Sequence, residues 1–235
     1  MIVIKHLSKS YGTVRALDDI SLTFADGLIT GLLGINGAGK TTLLSILATT
    51  LKYDSGEVVI FGEPLAKPKA IRRMLATIPQ NLAFYDKLTV AENLDFFAAM
   101  LKLGSQKKER LAFAIEANQL EPLLPRRAAT LSGGEKRRLN IAIGLLGDPK
   151  IMLFDEPTVG LDTCIRLGLL AQIRALKRQG RVIVYTSHYL DEIEKLCDEA
   201  AILHEGHIKA FFNQEDLRRS EQSLENRFLE ITERP

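Results

Sequence analysis

Gly34-Ile-Asn-Gly-Ala-Gly39-Lys40-Thr41-Thr42 fits the pattern G-x-x-x-x-G-K-[ST]. The spacing has a chemical purpose. Glycines let a backbone wrap closely around phosphate oxygens, because no Cβ blocks the approach. Backbone N–H groups along Gly34, Asn36, Gly37, Ala38 and Gly39, with the start of the following helix, would form an anion nest. Lys40 can reach the β- and γ-phosphates of a nucleoside triphosphate such as ATP, the Thr41 hydroxyl can ligate Mg²⁺, and Thr42 falls near the α-phosphate. The context fits: a continuous apolar run, Leu28–Leu33, predicts a buried strand before the loop, and apolar periodicity predicts a helix over Lys40–Leu51 after it.

A second chemical feature ends another apolar run. Ile151–Phe154 leads directly into Asp155-Glu156. A strand here would carry both carboxylates to the carboxyl edge of a parallel sheet, where ligands collect. Asp155 is then a Mg²⁺ ligand, direct or through water, and Glu156 is the group that orients and polarises an attacking water. An isolated Asp-Glu after a strand is usually only the start of a loop; its pairing with the upstream glycine loop makes it informative.

These groups need a scaffold. Strands are expected at Ile2–Leu7, Ile20–Phe24, Glu57–Phe61, Ala76–Pro79 and Val182–Thr186, and a hairpin at Ala200–His204 and His207–Phe212 around Glu205-Gly206. Helices are expected at Cys164–Gln179 and Leu190–Leu196. From about residue 88 to 147 β-branched runs disappear, and Ala, Leu and Phe recur at helical spacing in Val90–Leu103, Glu109–Asn118 and Glu135–Leu146. Strands alternating with helices imply a mostly parallel sheet. The expected class is therefore α/β: a P-loop NTPase core, with an antiparallel N-terminal β segment and an inserted helical lobe. The expected division is a cassette over 1–213, with core 1–87 and 148–213 and lobe 88–147, followed by a C-terminal helical tail over 214–235.

Leu131-Ser132-Gly133-Gly134-Glu135 makes the pattern specific. Here the sequence resembles the ATP-binding cassette ATPases, whose signature reads LSGG followed by a variable residue. Further family motifs fall in order: Tyr11 as the aromatic that stacks on adenine, Gln80 at the junction of core and helical lobe, Gly160-Leu161-Asp162 after the acidic pair, and His188 after the next strand. The resemblance implies that Ser132, Gly133 and Gly134 cap ATP held by a second copy in a head-to-tail dimer, that Gln80 ligates Mg²⁺ or water, and that His188 contacts the γ-phosphate. Asp162 is carried over with the loop. Ile35, Glu135 and Thr163 stand where Pro, Gln and Pro are common in the family; none removes a phosphate, metal or water ligand.

The resemblance also implies a motor subunit that works with separate integral membrane permeases, as a homodimer peripheral to the cytoplasmic face. The segments Ser223–Thr232 and Thr186–Glu192 are similar to those of the bacterial drug, polysaccharide and lipid exporter branch. The alternative is a soluble cassette ATPase of translation, DNA maintenance or cofactor assembly. Against a nucleic-acid partner stands the formal net charge of +2. Cys164 and Cys197, the only two cysteines, point to a reducing compartment. Lys5, His6, Lys9 and Arg15 interrupt the apolar start before a signal-peptide core forms, and no apolar run reaches the roughly eighteen residues of a membrane span.

Overall fold

The computed structural model describes residues 1–177, 180–218 and 224–232. In chain order it contains β1 (Ile2–Tyr11), β2 (Val14–Phe24), β3 (Ile29–Leu33), α1 (Lys40–Leu47), β4 (Ser55–Ile60), β5 (Glu63–Pro64), α2 (Pro68–Arg72) and β6 (Leu75–Ile78). Then come α3 (Val90–Met100), α4 (Lys107–Ala117) and α5 (Gly133–Leu145), with short 3₁₀ turns between them. The chain returns to the sheet through β7 (Ile151–Asp155), α6 (Thr163–Lys177), β8 (Val182–Ser187), α7 (Leu190–Leu196), β9 (Glu199–His204) and β10 (His207–Phe212). Two helices close it, α8 (Gln214–Arg218) and α9 (Leu224–Thr232).

The strands form two sheets. One is antiparallel with order β2-β1-β4-β5, and the other runs β10-β9-β3-β8-β7-β6. Within the second, β9, β3, β8, β7 and β6 are all parallel and only β10 is antiparallel. Its central strands β3, β7 and β8 are buried on both faces, which is why they read as continuous apolar runs. Alternate residues divide between two cores. Leu32, Ile151, Leu153, Val182 and Val184 face α1 and the antiparallel sheet. Ile29, Leu33, Met152, Phe154, Ile183 and Tyr185 face the helices of the opposite layer, including those from Val90 to Leu146.

Several boundaries differ from expectation. β1 and β2 extend well past Leu7 and before Ile20, meeting at Tyr11 and Val14. Register shifts between Ile4, Leu7, Lys9 and Ser10 break the period-2 alternation that would have announced them. The first helix ends at Leu47, and Thr50 and Leu51 turn their N–H groups back to Ser45 O. The helix expected to end at Gln179 is described to Lys177; Arg178 and Gln179 lie outside the described residues, as do 219–223 and 233–235 of the expected tail. In that tail Leu224, Phe228 and Ile231 pack on the larger core. They recur at i, i+4 and i+7, one face of α9. Among the described residues no helix is long and apolar enough to cross a membrane.

Leu32 carries the central strand into the glycine loop and is wholly buried. Leu32→Ala is expected to destabilise the chain by about 2–5 kcal/mol. A urea titration checks this: the midpoint should fall with the slope unchanged.

Candidate functional site

The glycine loop leaves the carboxyl end of β3 and turns into α1. At Gly34 it passes so close to β9 that a Cβ would sit 2.4 Å from Leu203 O, a backbone atom that cannot swing aside. The loop is also tied from outside. Gly206, at the tip of the β9–β10 hairpin, donates its N–H to Ala38 O at 3.1 Å, and its own carbonyl accepts from Asp18 N–H at 2.8 Å. Lys40 is buried. Its Nζ donates to Gly34 O at 2.6 Å and Ile35 O at 3.2 Å, and lies 3.0 Å from Glu156 Oε1.

Three parallel strands bring the rest together. β7 lies beside β8, and β8 beside β3, so the residues after all three collect at one edge. Thr41 Oγ1 stands 3.4 Å from Asp155 Oδ1. Thr186, in β8, places its hydroxyl 2.9 Å from the same carboxylate oxygen and accepts the Glu156 N–H at 3.0 Å. That second bond holds Glu156 in the left-handed region, φ 44°. Such a conformation costs a non-glycine residue on the order of 1–3 kcal/mol and persists only when its surroundings fix it. The Glu156 carboxylate is gripped on both oxygens, by Lys40 on Oε1 and by His188 Nδ1 on Oε2 at 3.0 Å.

Lys40, Thr41, Asp155, Glu156 and His188 are thus one constellation. Other expected site residues stand apart from it. Tyr11 is exposed at the β1–β2 turn, with Lys9 Nζ 5.7 Å from its ring centroid. Gln80 is exposed just past β6. Asp162 Oδ1 accepts from Ile165 N–H at 3.0 Å, at the start of α6.

The signature opens α5. Ser132 is its N-cap in a capping box: Ser132 N–H donates to Glu135 Oε2 at 2.7 Å, and Glu135 N–H to Ser132 Oγ at 3.3 Å. The Ser132 N–H holds the Glu135 carboxyl below the usual carboxylate range. Glutamate in place of the commoner glutamine therefore has a local use, since either residue closes this box. Gly134 is required by contact, because a Cβ there would lie 2.4 Å from Ile165 Cγ2. Among the described residues, no recorded hydrogen bond or ion pair joins Ser132–Gly134 to Gly34–Thr42.

Two α5 residues were not among the site residues expected from the sequence. Arg137 donates to Pro79 O at 3.1 Å, and Asn140 Oδ1 accepts the Ala83 N–H at 3.2 Å, so α5 grips the segment on both sides of Gln80. Desolvation of buried Arg137 pulls its guanidinium below the usual value. The signal available for both was a polar residue on the helix face that repeats with Ile141, four residues after Arg137 and beside Asn140. Thr186 was missed as a site residue too; a hydroxyl closing an otherwise apolar strand was its mark.

A glycine loop between strand and helix, with a carboxylate pair at the end of a strand in the same parallel sheet, defines a P-loop nucleotide-binding cassette. The chain belongs to the ABC transporter family, whose model matches residues 17–159, and it is an ATP-binding ATPase subunit of that family. It is similar to the Linearmycin resistance ATP-binding protein LnrL of Bacillus subtilis (strain 168): 36% identity over 219 residues, 92% of this chain and 70% of that protein. It is also similar to the Nod factor export ATP-binding protein I of Rhizobium sp. (strain N33): 36% identity over 202 residues, 85% of this chain and 66% of that one. A solved ATP binding subunit of an ABC transporter matches with TM-score 0.86 at 31% identity, covering 99% of both chains.

Gly34→Ala must displace either the loop or β9. ATP affinity, measured by titration with a fluorescent analogue, is expected to fall at least tenfold while the far-UV spectrum stays native.

Proposed function

We propose that the chain is the motor of an exporter, binding ATP·Mg²⁺ at Gly34–Thr42 and hydrolysing it within a head-to-tail homodimer. The observation that carries this reading is the meeting of Lys40, Thr41, Asp155, Glu156 and His188 at one sheet edge. The residues suit the ligand. Lys40 Nζ, with only carbonyls and one carboxylate around it, is a cation poised for phosphate oxygens. Thr41 Oγ1 and Asp155 Oδ1 are hard oxygen donors facing one another. Among the described residues no three His, Cys, Asp or Glu cluster as a metal site. A protein hydroxyl and one carboxylate, completed by phosphate and water, are a usual Mg²⁺ set. When bound, Mg²⁺ would neutralise charge on the β- and γ-phosphates.

The chain's own groups do the rest. Glu156 takes the proton of the attacking water as its oxygen bonds to the γ-phosphorus and the bridge to the β-phosphate breaks. With Nδ1 turned to Glu156, His188 has its other ring nitrogen left for a phosphoryl oxygen. Tyr11 stacks on adenine, and Gln80 reports the occupancy of the site to the helices over 88–147. Ser132, Gly133, Gly134 and Asp162 serve the ATP of the second copy; the separation of the signature from the glycine loop within one chain supports this. Exposed Tyr85 packs edge-on against exposed Phe96, centroids 4.9 Å apart, with exposed Met100 one helical turn further on; this apolar surface, which starts in the segment after Gln80, suits an integral membrane permease. That partner would hold the chain at the cytoplasmic face of the cell membrane. The export direction draws on the resistance and export proteins to which the chain is similar.

Glu156→Gln is expected to lower ATP turnover by about 10²–10⁴-fold, the usual worth of a general base, while ATP still binds and a dimer accumulates on gel filtration. Turnover at the wild-type rate would remove Glu156 from its role. Lys40→Ala should instead weaken ATP binding itself, which calorimetry reads directly.

A further inference from the structure

Directly behind His188 lies a group of buried polar side chains that the reading above does not use. Tyr185 and Glu192 are wholly buried, and Ser187 and Thr158 are 1% and 2% exposed. The Tyr185 hydroxyl donates to Glu192 Oε2 at 2.8 Å, and Ser187 Oγ donates to the same oxygen at 2.7 Å. Each hydroxyl has one proton, so the remaining bonds have a fixed direction. Ser187 Oγ accepts the Tyr189 N–H at 2.9 Å. Tyr185 accepts from Thr158 Oγ1 at 3.3 Å. Burial, then the Glu192 charge, pushes the Tyr185 phenol well above its ordinary value, so it keeps its proton and remains a donor.

The other side of Glu192 faces α6. Arg166 is 3.8 Å from Glu192 Oε1 and 3.1 Å from Asp191, and its guanidinium lies 5.6 Å from the centroid of the Tyr189 ring. That ring packs on His188, with centroids 4.1 Å apart. The residues before and after His188 are therefore tied to one carboxylate: Ser187 through its hydroxyl, and Tyr189 through the Ser187 oxygen. A buried carboxylate is an expensive way to fill space, since an apolar side chain packs without desolvation cost. Here it fixes the backbone from which the imidazole reaches Glu156.

We infer that Glu192 and Ser187 are positioning residues for His188, clamping residues 187–189 so that its Nδ1 meets Glu156 Oε2. The inference rests on the proposed part of His188 in hydrolysis, and a double-mutant cycle separates the two. Steady-state kinetics would compare the wild type, Ser187→Ala, His188→Ala and the double variant, with enough enzyme to resolve residual rates. Ser187→Ala removes both the bond to Glu192 and the acceptor of the Tyr189 N–H, and is expected to lower kcat by roughly 3–10-fold, a part of what those two bonds are worth, with KM for ATP unchanged. The double variant should be no slower than His188→Ala, because Ser187 then has nothing left to position. Losses that multiply, or a Ser187→Ala kcat at the wild-type value, would overturn the inference. Wild-type turnover by His188→Ala would overturn the role of His188 and this inference together. If Ser187→Ala does not fold, Glu192→Gln enters the same cycle. Its amide oxygen can keep both hydroxyls, but its NH₂ then faces the Arg166 guanidinium, donor against donor, and the ion pair is gone; a loss in kcat is expected, again absent from the His188→Ala background, and a multiplying loss overturns the inference there as well.

Discussion

Lys40 and Glu156 are both buried, and their charges stand 3.0 Å apart. Taking either one alone out of water would be costly, and the attraction offsets the cost only where the remaining hydrogen-bonding capacity is also met. The chain meets it. Gly34 O and Ile35 O accept from the ammonium, and His188 binds the second carboxylate oxygen. The pair requires the turn after β3 and the turn after β7 to approach each other, although β8 lies between those strands. Thr186 at the end of β8 is small enough to sit between them, and it bonds to both Asp155 and the Glu156 N–H. Much of the sheet order can be understood as the means of bringing these two charges together.

The loops at that edge are fixed to different parts of the molecule. The glycine loop is tied to the β9–β10 hairpin and, through Gly206, to β2. Glu156 is tied to β8. His188 stands between β8 and α7. A change in charge at the centre is thus felt by three separate segments at once. Packed interiors tend to respond to such a change by moving between discrete arrangements rather than by deforming smoothly.

Much of this was legible in residue order. The glycine loop, β7 and β8 appear where continuous apolar runs and turn residues put them, because strands buried on both faces conceal nothing in their pattern; α7 and the terminal hairpin also appear where they were expected. The antiparallel sheet was harder to read. Asp18 and Asp19 lie inside β2, and bulges shift the faces of β1, so alternation is lost where the pairing continues. β5 is two residues long and α2 five, too short for any period to register. In the site, the identities and order of the motif residues were plain, but their company was not. Glu192 in a charged helix reads as a solvated residue; its complete burial is set by Tyr185, Ser187 and Arg166, which come from β8 and α6. Glu135 read as a departure from the family habit, and the capping box at Ser132 gives that carboxylate its partner.

The two hydrogen bonds from α5 to the Gln80 segment have a practical meaning for anyone recombining cassettes. Ser132 stands at the head of the helix, and Arg137 and Asn140 follow further along it, holding Pro79 O and Ala83 N–H. A helix advances about 1.5 Å and turns about 100° per residue, so their placement relative to Ser132 is set by residue count alone. A single insertion or deletion between them would leave the serine in place and turn the guanidinium and amide away from their carbonyl and N–H. A chimera that takes residues 79–83 from one parent and 132–140 from another would inherit two halves of a joint that were never cut to fit. In this chain those two stretches, distant in sequence, are one heritable part.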